Sequence, residues 1–465
     1  MQIPVLKRAV AALFVAVVVS LASRPAMAIP AFARKYGLPC SACHEAWPKL
    51  NNFGQTFRDN GYQLGNDRDA PIYQNPSYFP STVRITPQWH MENSGRTAVD
   101  AVPGNASSGL VESRNIRSSG FDLSGFDLWT AGTVSKNISF LVLPSADATA
   151  AFHFESFWVR FDNLLGTHWL NLKVGKHELD LPVSEKRELT LSNDGANYQV
   201  YHFAPGNPLL PLGNGQVNGF GLGNNQLGLE LSGHSHNSYT RYAFSLVSNT
   251  DGQPNLPSSS GYDFYAHLSQ AVELPHMGLQ RFGVLGFRGV VPTYFQTANG
   301  AVISGSGAGD RSFYRAGAYG IWYLGKFDLS TVFMHGQDSA FLATGTPSTQ
   351  VLPAGGRSAT WNGGFAELHY NPNPQLVLVG RYELIRMAQQ GFPLGTLLTN
   401  NHPLFARFGN IDNYVLGYRW YPIMISRGGL AWHQEYSWLR SLGTAPLSGL
   451  NVAGSSYMMG FDVAF

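Results

Sequence analysis

Tyr457–Phe465, YMMGFDVAF, closes the chain. Side chains alternate along a strand, so Tyr457, Met459, Phe461, Val463 and Phe465 share one face. An apolar face ending in an aromatic residue suits a strand whose outer surface meets something other than water. The same period recurs upstream. In THWLNLKVGK, Leu170, Leu172 and Val174 oppose Asn171 and Lys173. In NYVLGYRWY, Tyr414, Leu416, Tyr418 and Trp420 oppose Asn413 and Arg419. In LAWHQEYSW, Leu430, Trp432, Tyr436 and Trp438 oppose His433, Glu435 and Ser437.

About sixteen such segments follow one another: 82–92, 122–133, 137–147, 151–163, 167–177, 217–232, 237–249, 261–272, 278–291, 311–323, 327–337, 360–370, 375–387, 412–421, 427–438 and 455–465. Short links (SKN, LLG, GHSH, NPNP and Tyr421–Ser426) alternate with long stretches rich in Gly, Ser, Asn and Pro, at 93–121, 178–216, 292–310, 338–359 and 388–411. The short link near 148–150 breaks the rhythm. Segments of ~10 alternating residues with long and short connections predict an all-β, antiparallel transmembrane β-barrel. A soluble sandwich would alternate too, but lacks the loop rhythm. A propeller would show a repeat of roughly 40–50 residues, and none is visible.

Composition agrees. Charged residues are 13% and aromatic residues 13%, with 51 glycines; an average globular protein is ~25% charged. The N-terminus reads as an export signal over residues 1–28, with Lys7 and Arg8 before the apolar run AVAALFVAVVVSLA and Ala26–Ala28 as a small-residue cleavage site. The run is shorter than the ~20 residues of a spanning helix, so cleavage is expected rather than anchoring, and no later stretch is apolar enough to span. Without the signal, 28 basic residues face 29 acidic ones. Such a balance leaves no polyelectrolyte face for nucleic acid.

Near the start of the mature chain stands GLPCSACHEAWPKL, Gly37–Leu50, holding both cysteines of the protein, Cys40 and Cys43, with His44 directly after. Two cysteines in an exported chain can form a disulfide, and Cys-x-x-Cys also serves thioredoxin-like dithiols, which need a βαβ context absent here. Zinc would need more ligands nearby. Cys-x-x-Cys-His after an export signal is the c-type haem attachment pattern: two thiols add to the porphyrin vinyl groups and the histidine gives the iron an axial nitrogen. The expected cofactor is one covalently attached c-type haem, bound by Cys40, Cys43 and His44, with His44 on the metal. Phe32, Tyr36, Trp47, Leu50, Phe53, Phe57 and Tyr62 surround the motif, in a segment too short for a core of its own, and are expected to pack on the haem.

No other His or Met lies between His44 and Thr86. A sixth iron ligand must therefore come from the barrel, or be absent. His90, Met334, His369, His433 and Met458 fall on inferred lumen faces, His90 with the shortest tether. Lys173, Arg381 and Arg419 are lumen cations that could pair with haem propionates. HELD at His177–Asp180 lacks the second His of a zinc-protease motif, and no nucleophile–base constellation is present.

The domain reading is 1–28 signal peptide, 29–80 a small, partly helical monohaem cytochrome c segment, and 81–465 a porin-like barrel. The stretch FARKYGLPCSACHEAWPKLNNFGQTFRDNGY, Phe32–Tyr62, resembles the N-terminus of the fused monohaem cytochrome–porin family of bacterial outer membranes, which includes iron-oxidising cytochromes. The resemblance lies in the signal peptide, Phe32-Ala33-Arg34, Cys40/Cys43/His44, Pro48-x-Leu50, Phe53-Gly54, Phe57 and Asn60-Gly61-Tyr62. It covers roughly the first fifth of the mature chain; beyond that only barrel type and approximate length agree. It implies thioether sites at Cys40 and Cys43, the proximal ligand at His44, and electron transfer from Fe(II) outside the cell. An even strand count returns both termini to the periplasm, and a monohaem protein needs an acceptor, expected to be a periplasmic c-type cytochrome or copper protein. A diffusion porin with a haem-bearing plug or gate, and the same conduit reducing an external acceptor, are the rival expectations.

Overall fold

Hydrogen-bonded ladders join sixteen antiparallel strands, in sequence order, into one closed barrel. They are β3 (Ser81–Asp100), β4 (Val111–Ser135), β5 (Ile138–Ala146), β6 (Phe152–Phe161), β7 (Asn171–His177), β8 (Gln226–His234), β9 (Thr240–Ser248), β10 (Tyr262–Leu274), β11 (Gly278–Pro292), β12 (Asp310–Leu324), β13 (Phe327–Asp338), β14 (Ala359–Asn373), β15 (Leu376–Gln389), β16 (Asn410–Ile425), β17 (Gly428–Leu442) and β18 (Val452–Ala464). The computed structural model describes residues 30–64, 81–100, 111–146, 151–184, 189, 225–248, 261–292, 310–339, 358–389, 410–425, 428–442 and 452–465. The expected signal peptide, residues 1–28, lies outside them.

Closure is made by the last strand. Tyr457–Ala464 pairs with Arg84–Met91 of β3, and Val83 and Phe465 exchange backbone hydrogen bonds of 2.9 and 3.0 Å. A closed ladder leaves no strand edge unpaired, which a lipid environment demands. The two faces are inverted relative to a water-soluble protein. Along β10, Tyr262, Phe264 and Leu268 are 63%, 59% and 53% exposed, while Asp263, Tyr265, His267 and Ser269 between them are at most 2% exposed. Apolar outside and polar inside is the membrane-barrel pattern.

Each of the sixteen predicted segments holds one strand. Two expectations are corrected. The predicted loop 93–121 is largely ladder: β3 and β4 continue pairing from Ser94↔Ile116 to Asp100↔Val111. Alternation could not reveal it, because Asn115, Arg117, Ser118 and Ser119 are all exposed there and impose no period. The irregular link near 148–150 does join a true hairpin, since β5 and β6 pair along their length; its own residues lie outside the described set.

The second correction concerns 178–216, expected as a long outer loop. Its described start turns into the barrel. Leu179, Leu181 and Val183 form one apolar cluster with inward residues of β9 to β15, including Tyr265, Phe287, Met334, Trp361 and Ile385. Leu189 also lies inside, its backbone N–H donating to the Glu367 carboxylate at 2.8 Å. The lumen therefore holds a dry core as well as charges.

Candidate functional site

The N-terminal segment comprises α1 (Pro30–Tyr36), α2 (Cys40–Cys43), a hairpin of β1 (His44–Ala46) and β2 (Lys49–Leu50), and α3 (Asn52–Asp59). The two-residue gap in Cys-x-x-Cys becomes one turn of α2, and residues three apart on a helix share a face. The Cys43 thiol is free. Burial pushes it up to about 11, so it rests as a thiol.

His44 opens the hairpin. Its Nδ1 donates to the Pro48 carbonyl at 3.2 Å. Such a bond fixes the ring and selects the tautomer whose Nε2 lone pair can ligate a metal. Burial lowers the His44 pKa to about 4, against the opposing effect of the Pro48 and Lys49 backbone, so the imidazole is neutral at ordinary pH, the form that binds iron.

Asn51 holds the motif and the following helix together. Its Oδ1 accepts the Gly54 N–H at 2.9 Å, an N-cap. Its Nδ2 donates to the Ala42 carbonyl at 3.0 Å, and its backbone N–H to the Cys43 carbonyl at 3.0 Å. Position 54 lies so close that a β-carbon there would sit 2.1 Å from the Cys43 carbonyl oxygen. A free Cys43 thiol and a neutral, oriented imidazole at the adjacent His44 fit a covalently attached haem. Among the described residues, no group of three His, Cys, Asp or Glu is placed to hold a metal ion.

The whole segment sits in the short-turn mouth of the barrel, gripped around its circumference. Arg241 of β9 donates to the Asp59 carboxylate at 2.8 and 3.1 Å and to Asp180 at 2.9 Å. Arg160 of β6 caps the end of α3, donating to the Arg58 and Asp59 carbonyls, both at 3.0 Å. Asn52 and Arg281 of β11 are 3.4 Å apart. Lys49 pairs with Asp328 of β13 and donates to Ser330 at 3.1 Å. Trp47 lies under the Arg84 guanidinium at 5.2 Å, and its carbonyl accepts from Arg419 at 2.9 Å and from Tyr421 at 2.7 Å. Burial alone would raise Asp59, but the Arg241 guanidinium, with His234, more than offsets it and holds the carboxyl at about 2.

The aromatic residues expected to pack on the haem find much of their core in the barrel wall instead. Tyr62 stacks on Phe32 at 5.0 Å and lies parallel to Trp158 of β6 at 6.3 Å. Phe57 meets Phe32 and Tyr36 edge-on at 5.1 and 5.7 Å, and the group continues into Ala131, Leu141 and Leu143.

The candidate sixth ligands separate clearly. His369 has both nitrogens engaged, by Asp328 and Glu367, each at 2.6 Å. Met334 is deep in the apolar lumen cluster. His90 and Met458 face each other across the β3–β18 ladder, and His90 lies 3.7 Å from Asp122. His433 is 3% exposed with neither ring nitrogen partnered. Of the lumen cations, Lys173 pairs with Glu230 and Arg381 with Glu367 and Glu383; Arg419 alone of the three reaches the segment. Lys49, Asp59, Arg160, Arg241 and Asp180 went unnoticed in the sequence. The available signal was charge on the inward period near short links, as Arg241 shows two residues after Tyr239 at the start of β9.

No known family profile matches the chain, and no curated protein is similar to it. Among solved structures, an anion-selective porin from Comamonas acidovorans is similar at 11% identity, over 83% of this chain and 98% of that one, TM-score 0.44. The outer membrane channel DcaP of Acinetobacter baumannii is similar at 7% identity, over 82% and 97%, TM-score 0.45. Pseudomonas putida OprB is similar at 9% identity, over 82% and 94%, TM-score 0.46.

Proposed function

We propose that this protein is an outer-membrane electron conduit: a monohaem c-type cytochrome segment lodged in a porin-like barrel, carrying electrons from extracellular Fe(II) to a periplasmic c-type cytochrome or copper protein. The observation that supports the reading is a His44 ring oriented by the Pro48 carbonyl, in a segment that Asp59, Lys49 and Trp47 dock into the short-turn mouth. The short-turn mouth, with the segment and the C-terminus, is the periplasmic end in this reading. Cys40 and Cys43 would hold the macrocycle through thioethers, and His44 would ligate its iron. When bound, a haem would supply a one-electron couple whose potential is set by its axial ligands and surroundings.

The chain's own contribution is position and exclusion. A bilayer insulates, and the lumen wall carries one redox-competent segment through part of it. The Pro48 carbonyl keeps the His44 ring oriented. Asp59, Arg241, Arg160 and Lys49 keep the segment from sliding. Leu179, Leu181 and Val183 keep water and ions out of the lumen above it. Fe(II) outside the cell would lose one electron to the haem held by Cys40, Cys43 and His44, the haem would pass that electron to the periplasmic carrier, and the Fe(III) formed would stay outside. The test is stopped-flow absorbance of the detergent-solubilised holoprotein mixed with Fe(II). Rapid growth of a reduced c-type spectrum is expected. A haem that dithionite reduces and Fe(II) leaves oxidised sinks Fe(II) as donor; a wide steady conductance in the haem-loaded protein sinks the conduit in favour of a porin.

A further inference from the structure

We infer that Arg419 and His433 form a carboxylate clamp on the lumen wall that receives a haem propionate, an inference that rests on the haem reading above. The two residues face each other directly across the β16–β17 ladder, on the inward side, 1% and 3% exposed. Arg419 Nη1 is committed to the Trp47 carbonyl at 2.9 Å, three residues past His44. Among the described residues, its Nε and Nη2, and both ring nitrogens of His433, have no partner. The charged groups that surround His433 are Arg419, Asp462 and Arg84. Among the described residues, the anion that acts on His433 is Asp462, and it is bound by Arg84 at 3.0 and 2.9 Å.

Arg419 is thus a buried guanidinium without a carboxylate, next to an imidazole without a hydrogen bond. Buried cations are ordinarily paired, and an unsatisfied buried donor carries its full desolvation cost. Lys173 and Arg381 on other strands obey the rule, each with its own glutamate. The missing partner at Arg419 is therefore an anion brought from elsewhere. Arg419 offers two adjacent N–H groups, the fork that suits a carboxylate, and His433 adds a third donor beside it. The segment that carries the attachment motif already touches Arg419, so the tethered propionate is the carboxylate delivered to this spot. His433 thereby serves the carboxylate edge of the macrocycle and not its iron.

The test compares Arg419→Gln, Arg419→Lys and His433→Phe holoproteins with the parent. Covalent haem is first confirmed by intact mass; a parent that carries none overturns the haem reading and not the clamp as such. Removing the Arg419 cation favours the oxidised, more positive state. Arg419→Gln is expected to lower the midpoint potential by an amount equal to about tenfold in the reduced-to-oxidised ratio, 59 mV for a one-electron couple, and to shift the propionate-bending band in resonance Raman. Arg419→Lys is expected to restore most of the potential, and His433→Phe to shift the Raman band without changing the iron's spin state. Unchanged potential and band in Arg419→Gln overturn the clamp, as does a His433→Phe protein that changes spin state. In Cys40→Ser/Cys43→Ser protein, His433 ring NMR shifts are followed against sodium propionate; shifts that reach the holoprotein values assign the site to soluble carboxylates and overturn the haem source.

Discussion

At Gly54 one hydrogen atom decides whether α3 can lie on the attachment motif. A methyl group there would meet the Cys43 carbonyl at 2.1 Å and the Leu50 side chain at 3.0 Å. The first neighbour is backbone and cannot swing away, so the helix must shift. Overpacking of this kind costs about 1–3 kcal/mol. Gly54→Ala is expected to lower the yield of covalently haem-loaded protein and to speed protease cleavage within 30–64, with barrel heat-resistance on gels unchanged; equal loading and protection in the variant and the parent would show that α3 yields without cost. Cys40, Cys43 and His44 stand out in the sequence because the attachment chemistry proposed for them depends on covalent spacing. Pro48 and Asn51 were not readable as functional, since a carbonyl acceptor and an N-cap acquire their role only once the hairpin folds.

The α3 helix as an element is held by charge. Asp59 and Arg241 are 7% and 5% exposed and joined by two hydrogen bonds. Removing one partner of a buried pair leaves the other charge stranded, typically at about 3–5 kcal/mol. Asp59→Asn is expected to loosen the segment, read as faster hydrogen exchange in 52–62, while Asp180 still engages Arg241 and keeps the barrel folded; exchange as slow as in the parent would refute the latch. The sign with pH follows from the depressed carboxyl. An unfolded aspartate titrates near 3.9, whereas Asp59 is held at about 2, so the latch contributes fully above about pH 4 and is lost as pH falls through about 2. Segment protection, with exchange corrected for its pH-dependent intrinsic rate, is expected to stay flat from pH 7 to about pH 4 and to fall below it; a loss of protection already between pH 7 and 5 would point to another group. The strands around this latch were legible because alternation is local. The latch was not, because Asp59 and Arg241 lie far apart in sequence and meet only when the barrel closes.

For the whole molecule the decisive question is whether the lumen is a passage. Sixteen strands enclose enough space for a channel, and period-2 reasoning placed polar side chains inside. Yet Tyr265, Phe287, Met334, Trp361 and Ile385 are each at most 2% exposed on that inner face, packed with Leu179, Leu181 and Val183. The sequence could not reveal this, since an inward Trp or Ile looks like one more apolar residue out of phase. Two obstacles therefore stand in series, the N-terminal segment at the short-turn mouth and the inturned strap above it. Loosening the first alone leaves the second. The parent protein is expected to show little single-channel conductance in a planar bilayer, and Asp59→Asn to add little. Placing two unpaired carboxylates in the dry cluster, as Leu181→Asp with Val183→Asp, expels the strap because neither charge has a partner there; combined with Asp59→Asn it is expected to open a stable conductance. A parent that already conducts like an open pore would mean the strap leaves a path beside it, and the barrel would then pass solutes as well as hold its segment. A closed parent, opened only when both obstacles are disturbed, is what an insulating housing for a single tethered redox group requires.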